Sequence, residues 1–78
     1  MPKKQILREY DTDIAMELIR KWIHNRVDRR MLYLRLIDGC TFNEIADIIF
    51  NEEGITFEDK TVRTRVHKGE EIIFRHYP

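Results

Sequence analysis

One cysteine, two prolines and three glycines are all that this chain of 78 residues holds of the types that staple, break or loosen a backbone. The lone Cys40 excludes an intramolecular disulfide framework and a cysteine-rich zinc site. It reads as a small packed hydrophobe, because free cysteine behaves as one. So little glycine and proline does not suit a disordered or low-complexity tail. No apolar run approaches the ~18 residues of a membrane-spanning helix. Met1-Pro2-Lys3-Lys4 lacks the apolar stretch of a signal peptide. The expectation is a cytoplasmic protein with no membrane segment. His24, His67 and His76 stand far apart and without ligand spacing, so no metal centre is expected. There is no Gly-rich phosphate loop and no Ser-His-Asp set in a workable order. Glu44 and Asp47 fall one helical turn apart, as paired acid–base carboxylates would, but Glu44 is accounted for by a helix cap. No catalytic residue and no cofactor is expected, and the chain is not read as an enzyme.

What is present is charge in balance: 14 Lys and Arg against 14 Asp and Glu, with 42% apolar and 36% charged residues. That mixture suits one all-α domain over residues 1–78, a small bundle of four helices. A core of this size supplies only roughly 3–5 kcal/mol of net stability, which favours a partner subunit such as a second copy.

Residues 1–11 read as an arm. Ile6, Leu7 and Tyr10 dock it, and Lys3, Lys4 and Arg8 stay wet. Residues 12–39 read as two supporting helices. The first runs from about Asp13 to Asn25, capped by Asp11 or Thr12, with Ile14, Leu18, Ile19, Trp22 and Ile23 on one face. Trp22 is expected to anchor the core. The second starts at an Asp28 cap, carries Met31, Leu32, Leu34, Leu36 and Ile37, and stops at Gly39 in the left-handed conformation. Thr41-Phe42-Asn43-Glu44 spells a capping box that opens a third helix. Its buried side is Ile45, Ala46, Ile48 and Ile49, and it is expected to end near Phe50 or Asn51. Residues 51–59 then form a loop, and a last helix runs from an Asp59 cap to about Arg75. Gly69 inside that helix costs roughly 1 kcal/mol and marks a close packing contact.

The cations are gathered rather than scattered. Lys60 to Lys68 carries four fixed positive charges and no carboxylate, directly after an acidic stretch from Glu52 to Asp59. Val62, Val66, Gly69 and Ile73 fall on one side of this helix, and Lys60, Arg63, Thr64, His67 and Lys68 on the other. A basic helix set behind a compact apolar one matches the way small proteins enter the DNA major groove.

Two segments carry a resemblance. Leu32 through Ala46 holds a Leu-rich helix, a Gly turn, a Thr cap, then Glu-Ile-Ala. Lys60 through Ile73 opens on Thr61-Val62 and continues as a basic run with a Glu-rich tail. Together they resemble the helix-turn-helix of sigma factor region four and its small phage-borne relatives. The resemblance spans about residues 28–74 and implies a helix-turn-helix over 41–75 in a bacterial or phage transcription regulator. This sequence departs from the family in its linker. Residues 47–60 separate Ala46 from Thr61 where the family has a tight turn, so either the turn is expanded or the third helix runs on.

On the DNA reading, Arg63 and Thr64, then His67, face base edges. Lys60, Arg65 and Lys68 meet phosphates, with Thr61 among the contacts. Thr41 and Asn43 offer donors to a phosphate from the start of the third helix. Arg29, Arg30 and Arg35 are expected to form ion pairs with Glu44, Asp47 or the acidic loop. The partner would be double-stranded DNA, bound by a homodimer on a two-fold site. An alternative is a protein-interaction module, binding RNA polymerase or serving as a phage packaging or scaffold adaptor, with Glu52, Glu53 and Glu58 as its contacts.

Overall fold

A computed structural model describes residues 10–78, and the expected arm residues Lys3, Lys4, Ile6, Leu7 and Arg8 lie outside that range. The described residues form four α-helices and no strand: α1 Thr12–Trp22, α2 Arg26–Leu36, α3 Phe42–Glu53 and α4 Asp59–His76.

Each helix start has a local cause. The Asp11 carboxylate accepts from the backbone of Asp13 and Ile14 and caps α1. Asn25, not Asp28, caps α2, accepting from Val27 N at 2.9 Å and Asp28 N at 3.0 Å. Asp28 falls inside the first turn, where its carboxylate is turned toward Arg65. The capping box of α3 forms as the sequence spells it. Glu44 N donates to Thr41 Oγ1 at 3.2 Å, and Thr41 N donates to Glu44 Oε1 at 2.8 Å. Glu58 precedes α4 without a side-chain cap bond, and Asp59 is the first helical residue.

The helix ends differ more from expectation. α1 stops at Trp22, and Arg29 donates to the carbonyls of Ile23 and Arg20, satisfying the orphaned end of that helix. Gly39 lies at φ 72°, as the left-handed stop requires. α3 continues through Glu53 and stops at Gly54, at φ 70°, whose N–H reaches Phe50 O at 2.8 Å. The expected loop over 51–59 therefore shrinks to 54–58. Tertiary pairing accounts for the extra turn: Arg30 grips Glu52 with two hydrogen bonds, at 2.9 and 2.7 Å, and Arg26 pairs with Glu53.

The core joins all four helices. Ala15, Ile19, Met31, Leu32, Ile45, Ile49, Val62, Val66 and Ile73 are essentially inaccessible. Gly69 is buried among them, and a Cβ there would stand 2.4 Å from Leu32 Cδ1 and 3.0 Å from its Cγ. This is the close contact that an unfavourable helical glycine implies, between α4 and α2. Trp22 does not anchor the core. It is 37% exposed, because Ile19 and Ile23 occupy the centre of the apolar stripe. The indole instead stacks on His76, with ring centroids 3.9 Å apart and planes 3° from parallel. Tyr10 docks by its hydroxyl on Leu36 O and by its ring on Phe74 and Tyr77. Burial, then the negative charge of Glu70, pushes its phenol up to about 12.

Candidate nucleic-acid interface

The candidate interface is built on α4. Val62, Val66, Gly69 and Ile73 bury one stripe of this helix against the core. The 100° step per residue then turns Lys60, Thr64, His67 and Lys68 outward, and all four are exposed. Among the described residues, neither Lys60, Arg63 nor Lys68 pairs with a carboxylate. Thr64 Oγ1 donates to Lys60 O at 3.0 Å, an ordinary back-bond to the previous turn. His67 Nδ1 lies 3.0 Å from Glu70 Oε1, which draws an acid toward this face. Glu71 and Arg75 continue the exposed face beyond the basic half.

Arg63 and Arg65 leave the outer face in opposite directions. Arg63 is exposed, and its guanidinium lies 5.5 Å from the centroid of the Phe42 ring at the start of α3. Arg35 lies over the same ring at 4.4 Å, and His67 meets it edge-on. Arg65 is half-buried. Its Nε stands 2.9 Å from Asp28 Oδ1, and its guanidinium lies 5.0 Å from the Phe57 ring. The expected phosphate ligand Arg65 is therefore committed to joining α4 to α2. The signal was available in the spacing: residue 65 follows the buried Val62 by three positions and precedes the buried Gly69 by four. Thr61 is exposed on the Arg65 side of the helix.

The starts of α3 and α4 meet. The Asn43 amide end lies 2.7 Å from Asp59 Oδ1 and 3.2 Å from Oδ2, and its nitrogen is assigned to that side because an amide oxygen there would face two carboxylate oxygens with no proton between them. Asn43 is thus held to a carboxylate rather than left open for a phosphate, and Thr41 spends its hydroxyl on the capping box. Asp59 is a member of this edge that sequence reasoning missed. Only the fold brings it to Asn43.

The second arginine set divides. Arg30 pairs with Glu52 as expected of an ion pair, and the hydrogen bond holds the Glu52 carboxyl below its ordinary range. Arg29 and Arg35 instead bond to main-chain carbonyls, Arg35 to Cys40 O at 3.0 Å. The Cys40 thiol is pushed up by burial and by the charges of Glu44 and Asp38, which disfavours a reactive thiolate. For the expected homodimer, the apolar contacts offered by the first and last helices are Trp22, Ile23, Ile72, Phe74 and Tyr77; of these Ile23 is buried, Ile72 is half-buried, and the Tyr77 hydroxyl accepts from Asp11 N at 2.6 Å. Trp22 and Phe74 are each 37% exposed. Among the described residues no His, Cys, Asp and Glu group could hold a metal ion, and no helix is long and apolar enough to cross a membrane. Compared with protein-family models, curated proteins and solved structures, the chain matches none.

Proposed function

We propose that this chain is a DNA-binding transcription regulator of helix-turn-helix type, resembling sigma factor region four and acting in a bacterial or phage-infected cell. One observation carries the proposal. α4 presents Lys60, Thr64, His67 and Lys68 outward with Arg63 on the flank, and none of its three fixed cations here is neutralised by a described carboxylate. The meeting of the α3 and α4 starts at Asn43 and Asp59 fits a recognition helix that works from its N-terminal turns. Arg63 and Thr64 then face base edges, with His67 beside them. Lys60 and Lys68 meet phosphates, and Arg65 holds the helix in place from behind.

Binding of this kind is driven by counterion release and weakens steeply with salt. Fluorescence anisotropy of a random-sequence duplex, titrated at low and moderate salt, tests it. The paired change of Arg63→Ala and Lys68→Ala abolishes binding and leaves helicity unchanged. Binding that survived the double change, or no binding by the parent protein at low salt, would refute the assignment.

A second function is favoured by a specific surface. Phe50 is 52% exposed and Ile55 is 39% exposed, on either side of the Gly54 stop of α3. Asp47 and Glu58 flank this stretch without an ion pair to any described residue. Glu52 and Glu53 are occupied by Arg30 and Arg26, so a protein partner such as RNA polymerase or a packaging component would meet Phe50, Ile55, Asp47 and Glu58. Retained DNA binding with loss of that partner on Phe50→Ala would separate the two functions.

A further inference from the structure

We infer that Asp59, positioned by Asn43, is a specificity-determining residue that selects a base with an exocyclic amino group, cytosine first and adenine second, in the major groove. The inference rests on the DNA-binding function proposed above and deepens it.

The observation is the pair itself. Asn43 and Asp59 are both exposed, they come from the starts of different helices, and they are joined through the Asn43 nitrogen at 2.7 Å and 3.2 Å. A carboxylate in the first turn of α4 is welcome to the helix dipole. That explains its charge but not its tie to α3. The tie has a chemical consequence. One N–H of the Asn43 amide is turned inward to Asp59, which fixes the carboxylate and leaves its remaining lone pairs as the charged acceptors for a ligand. In the major groove cytosine presents its N4 amino group and adenine its N6 amino group. Guanine presents N7 and O6 as acceptors, and thymine presents O4. The fixed carboxylate therefore attracts the amino groups of cytosine and adenine and repels the acceptors of guanine and thymine. Adenine carries its N7 acceptor beside N6, which a carboxylate disfavours, so cytosine ranks first.

Arg63 completes the pattern. It follows Asp59 by four residues, about 6 Å along the helix axis at 1.5 Å per residue. It carries only donors and suits guanine O6 and N7. It forms no ion pair with Asp59 and is turned over Phe42 instead. An acceptor and a donor fork thus stand one helical turn apart on the same flank, a spacing of roughly two base steps at 3.4 Å each. The expected site holds a cytosine read by Asp59 and, about two steps away, a guanine read by Arg63.

Selection of duplexes from a fully randomised pool, with sequencing of the bound fraction, tests this on the full chain. The parent protein enriches cytosine over guanine at one position, about 5- to 150-fold, the range of a good base contact. Asp59→Asn moves the preference at that position from cytosine toward adenine, because an amide matches adenine N6 and N7 together. Asn43→Ala frees the carboxylate to pair with Arg63 one turn on, and so blurs both positions. Circular dichroism matched to the parent chain shows that each variant is folded. A bound pool from Asp59→Asn identical to that of the parent overturns the inference while leaving DNA binding intact, as does an affinity change uniform over all sequences. Failure of the parent chain to retain any duplex at low salt overturns both.

Discussion

Replacing Gly69 with alanine sets two effects of known sign against each other. Alanine is the better helix former by about 1 kcal/mol in a helix interior. An exposed Gly69 would therefore gain stability from the change. Here the new methyl carbon would stand 2.4 Å from Leu32 Cδ1, 2.9 Å from Cδ2 and 3.0 Å from Cγ. Leu32 is 1% exposed and ringed by core neighbours, so it has no solvent to retreat into. Overpacking of this kind costs about 1–3 kcal/mol, and the contact to Cγ as well as both terminal methyls puts it in the upper part of that range. The net expectation is a loss of about 1–2 kcal/mol, a fall of roughly 4–16 °C in Tm for a domain of this size. Shortening the opposing side chain reverses the sign. In a Leu32→Val background the δ methyls are withdrawn while a γ carbon stays, and Gly69→Ala becomes stabilising by less than about 1 kcal/mol, the helix term net of that remaining contact. Urea unfolding of the four proteins, followed by circular dichroism, closes the cycle. Alanine at 69 stabilising the parent chain, or equal effects in both backgrounds, would refute the close-packing account of this glycine.

Arg65→Ala should lower stability by about 1 kcal/mol, through loss of the Asp28 pair and the Phe57 contact. It should change DNA affinity far less than Arg63→Ala and Lys68→Ala do, and calorimetry beside anisotropy separates the two effects. Thr41→Ala removes one half of the capping box and should cost about 1 kcal/mol, read as a shift in urea midpoint at unchanged slope. Tyr10 ionises from an ordinary 10.0 in the unfolded chain and about 12 in the fold, so the folded state holds its proton longer. Its contribution is complete below the unfolded value and is lost as pH rises through the folded one. Stability measured across that alkaline window should fall more steeply for the parent chain than for Tyr10→Phe. Parallel curves would show that the buried phenol has no such effect.

Helix identity was legible because its causes are local. The Thr41 capping box, the Gly39 stop and the 3–4 spacing of Val62, Val66, Gly69 and Ile73 involve residues within a turn or two of one another. The same periodicity placed Lys60, Thr64, His67 and Lys68 opposite the buried stripe, so the outer part of the candidate interface could be written down from the chain alone. What the tertiary structure decided lies between segments distant in sequence. Arg65 belongs to Asp28 because α4 packs on α2, and α3 runs on through Glu53 because Arg26 and Arg30 wait beside it. Trp22 stacks on His76 at the surface because Ile19 and Ile23 take the space in the core. Asn43 meets Asp59 because the 54–58 connection returns the chain to the start of α3. A charged side chain has several partners of equal chemistry along a sequence, and only the packing of buried apolar faces fixes which of them comes within reach.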